Sequence, residues 1–196
     1  MLAKQIMLEK EMFFNKKIFL IILFLSLTFK ASASLKENII LKFKNVENVS
    51  FNFQQNVNGK IERGICTILY PKKIFCDYDL GNQKILVSDG KWLVVKTTAS
   101  YYKYPLDKTP LNYLLNKDFL IKKITTLDHR LVENKLINFN FTEKDNEINI
   151  FFDSKSLNLV GWQTLDLYQN LNITYLDSIK INQKLKNDIF RLPKRN

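Results

Sequence analysis

The sequence is poor in the residues from which most catalytic and metal sites are built. Its 196 residues include one histidine, two cysteines and five glycines. The single histidine, His129, lies in a polar stretch, and its isolation excludes histidine-based triads and multi-histidine metal sites. The glycines form no loop of the kind that cradles phosphates. Because no nucleophile stands beside a base, we expect no enzyme activity and no metal or other cofactor.

Long apolar runs are also scarce, and the one that stands out lies near the N-terminus. Two lysines precede a mostly apolar run, Ile18 to Phe29, and small residues follow as far as Ala33. The run is shorter than the about 20 apolar residues that a membrane span requires. The pattern predicts a secretory signal peptide, residues 1–33, followed by a single domain, residues 34–196. An uncleaved N-terminal anchor is the alternative.

The chain is basic, with a formal net charge of +11. Its lysines are interspersed with aspartate, glutamate and asparagine, so they form no cluster. A basic surface can approach nucleic acid or an anionic membrane, but export argues against the first. We therefore expect mainly a solvated basic surface, with proximity to a membrane as the second interpretation, and no nucleic-acid partner.

Residues 60–96 have the pattern of an antiparallel meander. Short runs of β-branched and aromatic residues alternate with turn signals, the first of which is Tyr70-Pro71. Because strand side chains alternate with period 2, one face carries an apolar or amphipathic set: Cys66, Ile68, Tyr70, Ile74, Cys76 and Tyr78. Such a face requires cover from another sheet, a helix or a ligand.

The two cysteines are placed symmetrically about Pro71. If Pro71 centres the turn, Cys66 and Cys76 lie opposite each other on the same face, within the reach of a disulfide. An oxidising compartment permits the bond. Two buried free thiols are the alternative, since free cysteine behaves as a small hydrophobic residue.

Helices are predicted at two places. Ser34 with Glu37 forms a capping-box pattern at the start of an amphipathic helix of about three turns. Thr109-Pro110 begins a second, short helix, which residues 118–126 extend irregularly. The remaining chain gives roughly ten strands, too many for a flat sheet, so a curved half-barrel covered by helices is expected.

A series of motifs along the chain resembles one known family. The series comprises Gly64, Tyr70-Pro71, Asp77-Tyr78, Val87-Ser88-Asp89-Gly90, Pro105-Leu106, Thr109-Pro110-Leu111, Leu159-Val160-Gly161-Trp162, Asp166 and the tail Leu185 to Pro193. In this order they resemble the periplasmic outer-membrane lipoprotein carrier family (LolA-type), over nearly the whole predicted domain. The resemblance implies a mainly β (α+β) fold: an incomplete curved antiparallel β-barrel with a helical lid over a hydrophobic cavity.

The resemblance also implies a function. A monomer in the periplasm would hold the acyl chains of lipoproteins released by an inner-membrane transporter and pass them to an outer-membrane acceptor or to the outer membrane itself. A lipid anchor loses about 0.8 kcal/mol for each exposed CH₂, so a carrier needs a continuous apolar cavity. Two alternatives share the fold: a binder of free lipid or glycolipid, and a structural envelope domain with a filled interior.

Large apolar and aromatic side chains are the expected lining of the cavity. In the barrel these are Phe51, Phe53, Ile68, Tyr70, Ile74, Tyr78, Trp92, Val94, Phe139, Phe141, Ile150, Phe152 and Trp162. The helices are expected to add Ile39, Phe43, Leu111, Leu114 and Leu115. Plain core packing is the alternative for each of them.

Tyr70 marks a departure from the family pattern. Many members have an arginine at this position, which links barrel to lid and favours the closed state. A tyrosine can donate one hydrogen bond to the lid, whereas a guanidinium offers a fork of donors. The resemblance therefore leaves open how the lid of this protein is controlled.

Overall fold

The computed structural model describes residues 34–165, 169–186 and 188–195. The predicted signal peptide and Asp166 of the family pattern lie outside these ranges. None of the helices within them has the length and apolar character needed to span a membrane.

The described residues form three α-helices and eleven strands. The helices are α1 (Leu35–Lys44), α2 (Leu111–Leu114) and α3 (Lys117–Thr126), and a 3-10 turn spans Leu106–Lys108. The strands are β1 (Asn48–Val57), β2 (Lys60–Leu69), β3 (Lys73–Tyr78), β4 (Ile85–Asp89), β5 (Trp92–Lys96), β6 (Tyr101–Pro105), β7 (Arg130–Val132), β8 (Leu136–Glu143), β9 (Asn146–Asp153), β10 (Leu159–Leu165) and β11 (Leu171–Ile181).

All eleven strands belong to one antiparallel sheet in the order β6-β5-β4-β3-β2-β1-β11-β10-β9-β8-β7. The first and last strands therefore pair at its centre, while β6 and β7 are its edges and do not pair with each other. The result is an open, curved β-barrel, and this confirms the predicted fold class.

Local sequence signals begin and end the helices. The Ser34 hydroxyl accepts from the backbone N–H of Glu37 (3.2 Å), whose carboxylate accepts from the Ser34 N–H (2.7 Å), so the predicted capping box is present. The second predicted helix is two helices, because Asn116 has extended backbone between them and caps α3 through the N–H of Phe119.

Helices α1 and α3 cover the concave face of β8 and β9. Phe43 packs edge-on against Phe152 (5.9 Å between ring centroids), and Phe119 packs against Phe141 at the same distance. The Lys117 ammonium donates to the carbonyls of Lys44 and Val46 (both 2.8 Å), and thereby ties the start of α3 to the end of α1. This half of the interior is filled with side chains.

Candidate functional site

The other half of the interior contains a cavity of about 240 Å³. It lies between the concave face of the sheet and the segment that runs from β6 into α2, which we call the lid segment (residues 104–111). The lining comes from eight strands and this segment: Phe53, Gln55, Cys66, Ile74, Cys76, Tyr78, Leu86, Leu93, Tyr104, Thr109, Pro110, Leu111, Trp162, Thr164, Leu165, Asn172 and Thr174.

One side of the cavity, which we call the apolar wall, is formed by Ile74, Cys76, Leu86 and Leu93. They lie on three consecutive strands and share a face, because Cys76 pairs with Leu86 while Ile74 and Leu93 both pair with Ser88. Hydrocarbon placed against this wall leaves no polar group of the wall without a partner.

A disulfide continues the apolar wall into β2. Cys66 and Cys76 are direct partners in the β2–β3 register, with Cα atoms 4.1 Å apart, and their sulfurs are bonded. Of the two alternatives that the sequence leaves open, the structure therefore has the oxidised form. Both cysteines are buried and line the cavity.

Aromatic rings form the floor. Phe53 packs edge-on against Tyr78, with 4.9 Å between ring centroids, and Trp162 packs edge-on against buried Phe51 at 6.1 Å. The Phe53 ring can lie here because its partner on β2 is Gly64, which has no side chain to occupy the space.

The opposite side is polar, and we call it the polar wall: Gln55, Thr164, Asn172 and Thr174. The register brings them together, since Thr174 pairs with Gln55 on one flank and Asn172 pairs with Thr164 on the other. The two threonines are only 6% and 4% exposed. The Thr174 hydroxyl lies 3.4 Å from the Asn172 amide oxygen, and the Tyr78 hydroxyl lies 3.5 Å from that of Gln55.

A buried ion-pair cluster lies beside Gln55. Glu62, the β2 partner of Gln55, has a side chain 6% exposed and bonds to the ammonium groups of Lys84 and Lys60. Burial alone would raise the pKa of this carboxyl, but the hydrogen bonds and charges of the two lysines outweigh burial and lower it. Burial raises the pKa of the Tyr78 hydroxyl, and the negative charge of Glu62 raises it further.

Comparison with models of known protein families identifies the family to which this fold belongs. Residues 44–193 match the family described as outer membrane lipoprotein carrier protein LolA. The chain belongs to the LolA family. The resemblance predicted from the sequence is thereby confirmed, and proteins of the LolA family are extracytoplasmic. A search of curated proteins finds no match.

Several solved structures are similar to the chain. An uncharacterized conserved protein from Thermus thermophilus is 10% identical, with a TM-score of 0.48 over 81% of this chain and 93% of that one. A LolA superfamily protein from Nitrosomonas europaea is 9% identical, with a TM-score of 0.38 over 82% and 99% of the two chains. The Mycobacterium tuberculosis lipoprotein LppX is 10% identical, with a TM-score of 0.40 over 77% and 95%.

The structure brings part of the expected lining to the cavity of this LolA-family chain. Phe53, Ile74, Tyr78 and Trp162 line it, together with Leu111. Most of the other predicted residues are packed in the core that the helices cover: Phe51, Phe139, Phe141, Ile150, Phe152, Ile39, Phe43, Leu114 and Leu115. Ile68 and Tyr70 border a separate void of about 20 Å³ beside Phe43.

The structure corrects the predicted cavity lining at Trp92 and Val94. Leu93, between them, lines the cavity, so alternation places both neighbours on the convex face of β5. There the ammonium of Lys103 lies 4.4 Å from the Trp92 ring centroid. Neither residue belongs to the core cluster, and neither lines the cavity.

The hydrogen bond that a tyrosine at position 70 could donate to the lid is not formed among the described residues. The Tyr70 hydroxyl is buried and has no hydrogen-bond partner among the described residues, while its ring packs edge-on against Phe43 at 5.7 Å. Instead, the backbone N–H of Lys72 donates to the carbonyl of Leu115 (2.7 Å). In this chain a backbone bond joins the turn after β2 to the end of α2.

In the ranges that the structure describes, no three His, Cys, Asp or Glu side chains come together. His129 is exposed, with its ring 6.0 Å from that of Phe139.

Proposed function

We propose that this protein is a periplasmic carrier that binds the acyl chains of lipoproteins released from the inner membrane and delivers them to the outer membrane. The observation that carries the proposal is the cavity with an apolar wall and an aromatic floor, in a chain of the LolA family. A structural domain with a filled interior fits this observation poorly, because the interior contains a cavity of about 240 Å³. Its partners are acylated lipoproteins, a releasing transporter in the inner membrane, and an acceptor in the outer membrane or that membrane itself.

The size of the cavity implies that cargo binding moves the lid segment. Its volume of about 240 Å³ is below the about 300–1,000 Å³ of pockets that hold drug-sized ligands. A cargo with several long acyl chains therefore needs more room than this closed form offers. Leu111, at the end of the lid segment, is half-buried and lines the cavity.

Binding of a triacylated lipopeptide to Leu111→Asp tests the proposal. We expect at least a tenfold loss of affinity, because a carboxylate in the cavity would have no partner to replace water. The unacylated peptide should not bind to either protein. Leu41→Asp is the matched control, since Leu41 is 57% exposed on α1 and lies outside the cavity. Equal affinity of the two variants, or equal binding of both peptides by the unaltered protein, would contradict the proposal.

A further inference from the structure

The cavity has two unlike walls, and only one of them suits a hydrocarbon chain. The apolar wall consists of aliphatic side chains and the disulfide, whereas the polar wall carries two hydroxyls and two amides. Trp162 borders the polar wall, because it pairs directly with Thr174. The division follows the sheet, since the apolar wall is on β3 to β5 and the polar wall is on β1, β10 and β11.

Hydrocarbon alone would leave the polar wall unsatisfied. Burial of a hydroxyl or an amide without a hydrogen bond is costly, and Thr164 and Thr174 are already almost fully buried. Their neighbours offer weak internal bonding only, with the two contacts in the wall at 3.4 and 3.5 Å. A ligand that brought hydrogen-bond acceptors to this side would remove that cost.

The wall offers donors rather than acceptors. The amide oxygens of Gln55 and Asn172 face the hydroxyls of Tyr78 and Thr174, which leaves the amide N–H groups without a partner among the described residues. The Thr164 hydroxyl likewise has no bond to another described side chain. All four residues are uncharged, and the carboxylate of Glu62, the β2 partner of Gln55, is already paired with two lysines. The wall therefore suits neutral carbonyl groups better than phosphate or carboxylate.

We infer that the polar wall binds the ester or amide carbonyls by which acyl chains are joined to their head group, while the chains lie against the apolar wall. The inference rests on the proposed function and extends it, because it assigns the carbonyl linkage of the lipid to the amide N–H groups of Gln55 and Asn172 and to the hydroxyl of Thr164. The Thr174 hydroxyl donates to the Asn172 amide oxygen and thereby orients that amide. A lipoprotein presents such linkages where its chains are attached. The cavity thereby selects acyl lipids over hydrocarbons of the same length.

The test compares two glycerol lipids with chains of the same length, one joined by esters and one by ethers, as competitors of a fluorescent fatty-acid probe. The unaltered protein should bind the diester about five- to tenfold more tightly, which is the worth of one net hydrogen bond or slightly more. The double variant Thr164→Val, Thr174→Val should lose this preference, because valine keeps the volume and removes the hydroxyls. It should bind both lipids with the affinity that the unaltered protein has for the diether. Gln55→Leu, at a half-buried site, is a second variant with the same expected direction.

Thr67→Val is the matched control. Thr67 lies on the convex face of β2, where its hydroxyl bonds to that of Ser50 (2.9 Å), so the diester preference should persist in this variant. Equal binding of the two lipids by the unaltered protein, or a preference that survives in the wall variants, would overturn the inference. If the acylated lipopeptide binds while the diester preference is absent, only this inference fails. If the lipopeptide does not bind either, the proposed function fails with it.

Discussion

At Gly64 the backbone of β3 lies too close for any side chain. A Cβ atom here would be 2.1 Å from the carbonyl oxygen of Asp77 and 2.9 Å from Cε1 of Phe53. Because the first contact is with backbone, Gly64→Ala should lower the free energy of unfolding by about 3 kcal/mol, as overpacking does. Chemical denaturation measures this. Gly81→Ala is the control, since nothing lies within 4 Å of its added Cβ, and an equal loss in both variants would contradict the account.

Tyr70 presents the opposite case, a polar atom that the fold does not use. Tyr70→Phe keeps the ring contact with Phe43 and removes a buried hydroxyl that has no partner among the described residues. We expect the free energy of unfolding to stay unchanged or rise by about 1 kcal/mol, and lipopeptide affinity to stay the same. A clear loss of either quantity would show that the hydroxyl bonds to the lid after all.

Individual cavity residues could be predicted where the sequence fixes which face of a strand they share. Ile74 and Tyr78 were found because counting in steps of two from the turn at Pro71 sets the phase of the strand. Trp92 and Val94 were misplaced because residues 92–95 are all apolar, so only the pairing of Leu93 with Tyr104 reveals which side faces inward. The polar wall was missed because an apolar lining was expected throughout. The sequence did carry a signal for it: Thr164 lies two residues after Trp162, and therefore on the same face of the strand.

Among the elements, the β2–β3 hairpin carries a covalent link whose removal is measurable. Cys66→Ala with Cys76→Ala should lower the free energy of unfolding by about 2–3 kcal/mol, because the closed loop is short and restrains the unfolded chain modestly. A reductant should produce a similar loss in the unaltered protein and none in the double variant. An unchanged melting temperature under reduction would contradict this prediction.

The ion-pair cluster joins β2 to the segment before β4 and makes stability depend on pH. The folded protein holds the pKa of Glu62 below its ordinary value of 4.5, so the ionised form stabilises the fold. That contribution is complete above about pH 4.5 and is lost as the pH falls through the lowered pKa. The difference in unfolding free energy between the unaltered protein and Glu62→Gln should therefore shrink in acid. A difference that stays constant from pH 7 to pH 3 would contradict this.

Helix boundaries show how far local signals reach. The capping box at Ser34 was predicted because both partners are close in sequence. The break between α2 and α3 was not predicted, although Asn116 is a good cap residue. At this break the carbonyl of Leu115 accepts a bond from the backbone N–H of Lys72. That bond joins segments far apart in sequence, and no local pattern indicates it.

At the scale of the whole described unit, the open barrel divides into a filled half and a hollow half. The fold and the family could be predicted from strand count, helix signals and motif order. The division of the interior into these two halves could not be predicted, because it depends on which strands α1 and α3 cover. They cover β8 and β9, so Phe139, Ile150 and Phe152 became core, and the cavity lies against β3 to β5. The proposed acyl binding therefore belongs to the side that contains the cavity.

Release of lipoprotein from spheroplasts tests the carrier role most directly. Spheroplasts that make a radiolabelled lipoprotein are incubated with the purified protein, and a cargo variant that cannot be acylated is run alongside. We predict that the acylated lipoprotein appears in the supernatant as a complex with this protein and that the non-acylated cargo does not join it. If no complex forms, or if both cargoes are recovered equally, the protein is not an acyl carrier.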